Sequence, residues 1–229
     1  ENIYKLLQIY SKITLLLIVA ILLTTNYSCS NEDTSSNPDS IDNKTITPTF
    51  TYSKILDGKE INNIVKTNDG GYICTTFSND YDVIKYDVNF NIVWNKTYGG
   101  SNDDIPGSII QTNDGGYLVT GYSKSNDGDV SQNNGGYDIW ICKLNSIGEL
   151  LWNKSYGGTG SEGISKENSV FETTSGSFYI IGHTSSNNGN VSKNNGGYDA
   201  WLFKISSSGE IEFEKTYGGT GNDFGRKII

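Results

Sequence analysis

The chain repeats itself, and this repeat constrains its fold more than any other feature. Three segments share an aromatic-x-Lys-x-Tyr-Gly-Gly sequence: residues 94–100, 152–158 and 213–219. The tyrosines of successive copies lie 58 and 61 residues apart. Such a spacing is typical of architectures in which one supersecondary unit occurs several times. The body of the chain is therefore predicted to consist of similar units.

Turn motifs and apolar runs divide each unit into four strands. A turn motif containing glycine occurs at residues 69–72, 114–117 and, in eroded form, 175–178. In the second unit the apolar runs comprise residues 105–112, 117–123, 138–144 and 149–156. The Asp-Gly and Asn-x-x-Gly sequences between them supply the positive φ angles that tight hairpins require. We therefore expect each unit to be a four-stranded antiparallel meander.

Composition supports an all-β chain. The sequence has 27 Gly and 15 Tyr but no Met, and only 19% of its residues are charged, whereas helical bundles are rich in Ala, Glu, Lys and Leu. Four antiparallel strands repeated at this spacing predict a β-propeller-like array of four-stranded antiparallel blades. A β-solenoid is the alternative, although its coils are usually shorter.

The predicted partial β-propeller covers residues 49–229 and contains about three blades. Its units are assigned to residues 57–100, 101–158 and 159–219, with the start of a fourth at 220–229. Because propellers usually close with at least four blades, we expect the chain to be part of a longer protein. Residues 50–56 are predicted to be a strand that closes the last blade.

The first unit lacks 13 residues between its second and third strands. Counting back from the fourth-strand tryptophans aligns Asp80 with Asp138 and Asp82 with Trp140. The missing residues then fall in a connection between strands, where deletions are tolerated. We expect the four strands of this unit to be intact.

The N-terminal segment is typical of an export signal. Lys5 and Lys12 precede an apolar run at residues 13–23. That run is too short to cross about 30 Å of hydrocarbon, so a transmembrane anchor is the weaker alternative. We assign residues 1–28 to a helical signal peptide. Residues 29–48, rich in Ser, Thr, Asn and Asp, are predicted to be a disordered, flexible tether.

The end of this segment resembles the lipobox of bacterial lipoproteins. Ser28 precedes Cys29, which the resemblance identifies as the lipidated residue, although Asn26 departs from the aliphatic residue usual there. The acidic residues in 30–33 resemble the export tag of Bacteroidetes-type surface lipoproteins, and a solvated linker is the alternative. The resemblance implies an exported outer-membrane lipoprotein that is exposed on the cell surface and held to the membrane by its N-terminal lipid.

The repeat resembles the Gly-Gly-Tyr…Asp-x-Trp…Trp-x-Lys-x-Tyr-Gly-Gly units of secreted and lipid-anchored Bacteroidetes-type propeller proteins. Some relatives in this group carry an endoglucanase heading. A net charge of −9 argues against nucleic acid as a partner. We therefore expect a non-catalytic binding or interaction module for a protein or glycan ligand. The alternative is part of a carbohydrate-active enzyme whose catalytic residues lie outside this chain.

No residue is assigned a catalytic role. Glycoside hydrolysis needs two carboxylates at a defined separation. The candidates are Asp80, Asp82, Asp103, Asp104, Asp138, Asp199 and Glu162. Most recur at equivalent repeat positions, where turn capping accounts for them. His183, the only histidine, is interpreted as an aromatic-sized filler, because unit two has Tyr122 at that position.

One loop has oxygen side chains at spacings that resemble an EF-hand. Asp127, Asp129 and Asp138 are its calcium candidates. Gln132 stands where an EF-hand requires glycine, and unit three has Asn188 and Asn190 in place of the first two carboxylates. Turn chemistry is therefore the favoured interpretation, and we predict no required cofactor.

Aromatic residues recur at fixed strand positions. We interpret eight of them as packing between blades: Trp94, Tyr98, Trp140, Trp152, Tyr156, Trp201, Phe213 and Tyr217. Stacking on sugars is the alternative, but regular large side chains more often fill interfaces. Cys74 and Cys142 fall on strands of different units and are predicted to be small buried hydrophobes without a disulfide.

Overall fold

The computed structural model describes residues 55–56, 59–165 and 168–229, with only the backbone described for residues 55–56. Within these ranges the chain forms fourteen β-strands and no helix, so the all-β prediction is confirmed. None of the described segments forms a helix that is long and apolar enough to span a membrane. The predicted signal peptide, Cys29 and the tether lie outside the described residues.

The strands form three antiparallel sheets that follow the order of the sequence. Sheet I contains β1 Ile55–Leu56, β2 Lys59–Lys66, β3 Tyr72–Thr76, β4 Tyr81–Tyr86 and β5 Ile92–Tyr98. Sheet II contains β6 Asp104–Gln111, β7 Tyr117–Ser123, β8 Asp138–Leu144 and β9 Leu150–Tyr156. Sheet III contains β10 Glu162–Ile164, β11 Val170–Glu172, β12 Phe178–Thr184, β13 Asp199–Ile205 and β14 Ile211–Tyr217.

The four strands of sheet II agree with the predicted runs to within one residue at each end. Sheet III departs from that pattern because its first strand is divided. Both β10 and β11 pair with β12, and a short connection separates them. The irregular edge that results borders the cleft described below.

Residues 55–56 do not close the last sheet as predicted. Ile55 lies opposite Glu60, and Leu56 lies opposite Lys59, so this short strand extends sheet I itself. Residues 50–54 lie outside the described part of the chain. The reason is local: only two residues of sequence separate β1 from β2, and strands so close in the chain pair readily with each other.

The C-terminal residues 220–229 run beside sheet III without forming a regular strand. The amide of Asp223 donates a hydrogen bond to the carbonyl of Tyr198 at 2.5 Å. The amide of Ile228 donates to the carbonyl of Asn168 at 2.8 Å. Equivalent bonds start β6 and β10, since Asp104 and Glu162 also donate from their amides to the preceding sheet. The segment therefore occupies the position of a first strand, but it lacks the regular backbone hydrogen bonds of a paired strand.

The turn between the third and fourth strands has the same geometry in all three sheets. Gly148 and Gly209 adopt φ angles of 75° and 80° there. Phe90 occupies the equivalent position in sheet I with a φ of 60°. A positive φ is strained for a large side chain. Its ring stacks on Tyr72, with the ring centroids 4.8 Å apart, and this contact stabilises the conformation.

Two hydrophobic clusters join the sheets in series. One combines Tyr81 and Tyr98 of sheet I with Tyr117 and Trp140 of sheet II. The other combines residues of sheets II and III, including Ile139, Tyr156, Phe178, Trp201 and Phe203. Because each sheet buries apolar side chains against its neighbour, sheet II has partners on both of its faces.

Candidate functional site

The Tyr-Gly-Gly motif forms the junction between consecutive sheets. The Tyr98 hydroxyl donates to the carbonyl of Gly148, and the Tyr156 hydroxyl donates to that of Gly209 at 2.8 Å. Each acceptor is the positive-φ glycine in the turn of the next sheet. Trp152 Nε1 also donates to the carbonyl of Ser207, at 3.0 Å, in the same turn as Gly209. The repeated aromatic residues of β5 and β9 therefore hold the following sheet in place.

The long loops of sheets II and III return to the glycines of the preceding sheet. The amide of Asp129 donates to the carbonyl of Gly99, and that of Asn190 donates to Gly157, both at 2.9 Å. A Cβ at Gly100 would lie only 2.5 Å from the carbonyl oxygen of Asp127 in this loop, and one at Gly158 only 2.4 Å from that of Asn188. The Gly-Gly sequences are therefore required for close backbone approach.

A pair of carboxylates flanks the first glycine of each motif. At Gly157, an added Cβ would lie 2.5 Å from Asp138 Oδ1 and 2.1 Å from Glu162 Oε2. Glu162 Oε2 accepts a hydrogen bond from the amide of Gly158 at 3.0 Å. Burial raises the pKa of Asp138 to about 6, and nearby Glu162 adds to this shift while hydrogen bonds from Asn134 oppose it. Among the described residues Asp138 Oδ1 has no hydrogen-bond partner.

The same arrangement occurs three times. Asp80 and Asp104 flank Gly99, as Asp199 and Asp223 flank Gly218. This agrees with the alignment of Asp80 with Asp138. Since a catalytic pair is needed once, a threefold repeat indicates a structural role at the junctions. Most of the carboxylates considered for hydrolysis are accounted for in this way.

The remaining two hydrolase candidates lie apart from these pairs. Asp82 accepts hydrogen bonds from Lys59, at 2.6 Å, and from Thr97, at 2.5 Å. Asp103 accepts one from the Tyr137 hydroxyl at 3.4 Å. Asp82 is buried and forms an ion pair with Lys59. These contacts indicate a structural role for its carboxylate.

The three calcium candidates are not brought together. Asp127 accepts from the amide of Ser101 at 2.7 Å, and Asp129 accepts from that of Gly99 at 3.1 Å. Asp138 instead contacts the next junction, at Gly157. In the described ranges, no group of three or more His, Cys, Asp or Glu side chains could hold a metal ion. The carboxylates of this loop thus serve two different junctions: Asp127 and Asp129 lie at the one with sheet I, and Asp138 lies at the one with sheet III.

The predicted packing residues differ in their environments. Trp140 and Trp201 are fully buried, whereas Phe213 and Tyr217 on β14 are 41% and 48% exposed. Cys74 and Cys142 are both buried and form no disulfide. Burial raises the pKa of the Cys74 thiol to about 12, so this residue is unreactive at neutral pH.

A cleft of about 670 Å³ opens between the irregular edge of sheet III and the C-terminal segment. We call it the His183 cleft. Its lining residues are Ile164, Ser165, Asn168, His183, Phe224, Arg226 and Lys227. The volume is typical of sites for small ligands, which range from about 300 to 1,000 Å³.

The backbone of β10 makes room for the imidazole of His183. Gly163 lies directly opposite His183 in the sheet, and a Cβ at Gly163 would lie 2.5 Å from Nε2. The imidazole contacts two aromatic rings edge-on, Phe224 at 4.8 Å and Tyr198 at 5.2 Å between centroids. Tyr198 and Phe224 stack on each other at 5.7 Å with an interplanar angle of 29°.

The charge of the cleft comes from its C-terminal side. Arg226 and Lys227 are exposed, and neither forms an ion pair with any described residue. The Arg226 guanidinium lies over the Phe224 ring at 5.7 Å. Burial and the nearby charge of Arg226 lower the pKa of His183, so its imidazole is neutral at pH 7. Its Nδ1 has no hydrogen-bond partner within the described chain.

Sequence reasoning identified His183 but not the cleft around it. His183 does occupy the aromatic position that Tyr122 has in sheet II, where Tyr122 contacts Tyr137 edge-on at 5.3 Å. Arg226 and Lys227 were not considered as site residues. One signal was present: Arg226 is the only arginine of the chain and His183 its only histidine. Their proximity depends on a contact between residues more than 40 positions apart, which no local pattern predicts.

Comparisons with known proteins show the following. No protein-family model matches the chain, and no curated protein matches it. A crystal structure of a protein of unknown function from Bacteroides caccae is similar, with 14% sequence identity and a TM-score of 0.41. The match covers 72% of this chain and 49% of that one, so the chain spans about half the length of that protein.

Proposed function

We propose that this chain is a surface-exposed lipoprotein whose three sheets are blades of a β-propeller-like, non-catalytic binding module. The His183 cleft carries this proposal. It brings the only histidine and the only arginine of the chain together with the ring of Phe224 at the edge of sheet III. Sites that bind ligands combine apolar and aromatic walls with a few polar groups in this way.

Binding accounts for this cleft better than catalysis does. Among the described residues, its lining contains no carboxylate and no cysteine. The Ser165 hydroxyl donates to the carbonyl of Gly225 at 3.1 Å rather than to an imidazole, so no activated nucleophile is assembled. The carboxylate pairs lie at the sheet junctions instead. None of the described lining residues supports the alternative of a carbohydrate-active enzyme.

The propeller assignment rests on the repeated junction. Sheet II has four antiparallel strands and sheets I and III have five each, and sheets I and II each place the tyrosine of their last strand on the next turn. Repetition of one contact between consecutive four-stranded sheets is the principle of a propeller.

Membrane attachment in this proposal depends on Cys29. A net charge of −9 repels anionic headgroups, so acyl chains on Cys29 would provide the anchoring energy. Metabolic labelling with a fatty-acid probe tests this: Cys29→Ala should abolish labelling and release the protein from membranes. Unchanged labelling of the variant would contradict the lipoprotein assignment.

The binding function is tested by screening the purified chain against arrays of glycans and of cell-surface proteins. A ligand of the His183 cleft should bind Phe224→Ala at least about tenfold more weakly. Phe171→Ala is the matched control, because Phe171 is similarly exposed, at 47% against 43%, but lies outside the cleft lining. Ligands that bind both variants equally well would place binding elsewhere and refute the role of this cleft.

A further inference from the structure

We propose that Asp138 and Glu162 share one proton, and that this proton stabilises the junction between sheets II and III. The junction is tight while the proton is present and loosens when the proton is lost, so the contact between the two sheets depends on pH. The inference concerns packing within the chain and does not depend on which ligand the protein binds.

The first argument is the position of the two carboxyl groups. A Cβ added at Gly157 would lie 2.1 Å from Glu162 Oε2 and 2.5 Å from Asp138 Oδ1, so both oxygens approach the same point. Asp138 is fully buried, and Glu162 is 3% exposed. Two negative charges this close in a buried site repel each other strongly, and one proton held between the groups removes the repulsion.

The second argument is the number of hydrogen bonds that each oxygen accepts. Asp138 Oδ2 accepts two from Asn134, from its amide at 2.8 Å and from its side chain at 2.7 Å. Glu162 Oε2 accepts one from the amide of Gly158 at 3.0 Å, and Oε1 accepts one from the Thr184 hydroxyl at 2.6 Å. Asp138 Oδ1 is buried without a partner among the described residues. A proton on this oxygen, donated to Glu162 Oε2, supplies the missing hydrogen bond.

The third argument is that the arrangement recurs one unit later. Asp199 Oδ2 accepts hydrogen bonds from the amide and the side chain of Asn195, at 2.8 and 3.1 Å. Its Oδ1 is again buried without a described partner, and it flanks Gly218 together with Asp223 Oδ2. The same unpartnered oxygen in two units indicates a property of the repeat. We assign the proton to the pair at Gly157 because that pair lies between two packed sheets.

The other titratable groups near the junction face elsewhere. Tyr137, on the loop before β8, donates its hydroxyl to Asp103 at 3.4 Å, and the Lys124 ammonium group lies over its ring at 5.6 Å. Tyr156, at the end of β9, donates its hydroxyl to the turn of sheet III. On β12, His183 precedes the threonine that bonds Glu162, and successive side chains of a strand point to opposite faces.

The long loop of sheet III reaches this junction with amides rather than carboxylates. Asn188 Oδ1 and Asn190 Oδ1 accept hydrogen bonds from the backbone after β9, at 2.9 and 3.1 Å. At the junction of sheets I and II the equivalent positions are Asp127 and Asp129. An amide keeps these bonds without adding a charge, and the charged residue of the loop, Lys193, is exposed. Glu162 is therefore the described charged group that acts on Asp138.

These contacts set the pH range of the effect. Burial raises the pKa of Asp138 from 3.8 to about 6, hydrogen bonds from Asn134 oppose the shift, and the charge of Glu162 adds to it. The folded protein therefore keeps this proton up to about pH 6, where an unfolded aspartate has already lost it. The junction is stabilised in mild acid and loosens near neutral pH.

The test follows hydrogen exchange of the Gly158 amide, which donates to Glu162 Oε2, in the full chain in detergent. Between pH 5 and pH 8 its protection, corrected for the intrinsic rate, should fall at least about tenfold in the wild type. Asp138→Asn should keep the protection within about twofold, because an amide nitrogen in the place of Oδ1 donates to Glu162 at every pH. Asp127→Asn removes an exposed carboxylate from the neighbouring junction and should retain the wild-type fall.

A second variant tests whether the proton is shared. Glu162→Gln removes the neighbouring charge, so the side-chain ¹³C signal of Asp138 should titrate at a lower pH than the value of about 6 expected in the wild type. Absence of the signal from Asp138→Asn identifies it. A titration at the same pH in the wild type and in Glu162→Gln would overturn the sharing.

Two further outcomes would contradict the proposal. An equal loss of Gly158 protection in the wild type and in Asp138→Asn would show that another group controls the junction. Protection restored by Ca²⁺ at pH 8 in the wild type, but not in Asp138→Asn, would show that the pair binds a divalent cation in place of the proton.

Discussion

Two copies of one motif have opposite environments in this protein. Tyr156, at the junction of sheets II and III, is 3% exposed and its hydroxyl donates to Gly209. Tyr217, the equivalent residue on β14, is 48% exposed. Gly158 and Gly219 differ in the same way, because an added Cβ would meet the carbonyl of Asn188 at the first and nothing within 4 Å at the second. The motif therefore acquires its structural role only when another sheet packs on it.

A second comparison concerns the turn that receives the motif. At Gly148 an added Cβ would lie 3.0 Å from the ring of Trp94, so glycine leaves the space that this tryptophan fills. In sheet I the equivalent residue is Phe90, whose ring stacks on Tyr72. Asp82 also occupies the position that Trp140 has in sheet II. Sheet I thus presents a different surface from the one that sheets II and III present to their preceding neighbours.

The largest expected effect is removal of the buried tyrosine. Tyr156→Ala should lower the free energy of unfolding by about 3–5 kcal/mol, because it empties a large buried site at the junction. Tyr217→Ala is the control and should cost less than about 1 kcal/mol, since its side chain is already half exposed. Urea denaturation of both variants measures the difference. Similar costs for the two would show that the junction does not distinguish these residues.

The next effect is the pH dependence contributed by Asp138. The pKa of this carboxyl is raised from 3.8 to about 6 by burial, so the folded state holds its proton more tightly than the unfolded state. The stabilisation that protonated Asp138 contributes to the folded state is complete below pH 4 and is lost as the pH rises through 6. Relative to the wild type, Asp138→Asn should therefore gain up to about 3 kcal/mol between pH 4 and pH 7.

Denaturation midpoints at several pH values test this. The control is Asp127→Asn, because the pKa of this exposed carboxyl is lowered by the hydrogen bond from Ser101. Its effect should have the opposite sign, with the variant losing stability relative to the wild type as the pH rises. A difference between Asp138→Asn and the wild type that does not change with pH would show that folding does not shift the pKa of Asp138.

The third effect comes from the second glycine of the motif. Gly158→Ala should cost about 1–3 kcal/mol, because its Cβ would lie 2.4 Å from the carbonyl oxygen of Asn188 and the loop must move. Gly219→Ala should change the free energy of unfolding by less than about 0.5 kcal/mol. Thermal melting of the two variants is sufficient for the comparison. A destabilised Gly219→Ala would mean that this glycine is already in contact with another segment.

The smallest effect isolates one hydrogen bond. Tyr156→Phe keeps the ring but removes the donor to Gly209, which should cost about 1 kcal/mol. Tyr217→Phe should have no measurable effect, because no hydrogen bond of its hydroxyl to a described residue is present. A double-mutant cycle with Trp152→Phe, which removes the bond to Ser207, would show whether the two bonds act together.

The sequence by itself determined the strands and their order. Alternating apolar runs between Asp-Gly and Asn-x-x-Gly turns placed the strands of sheet II to within a residue, because hairpin turns are encoded locally. The alignment of Asp80 with Asp138 also followed from the repeat, and both residues flank the first glycine of a junction.

Tertiary structure alone decided what those residues do. The pairing of Asp138 with Glu162 and the separation of Asp127 and Asp129 from Asp138 both depend on contacts between sheets. The meeting of His183 with Arg226 is of the same kind, since it joins residues 43 positions apart across the edge of sheet III. Local sequence encodes hydrogen bonds within a hairpin, whereas burial and charge at a junction arise only when separate sheets pack together.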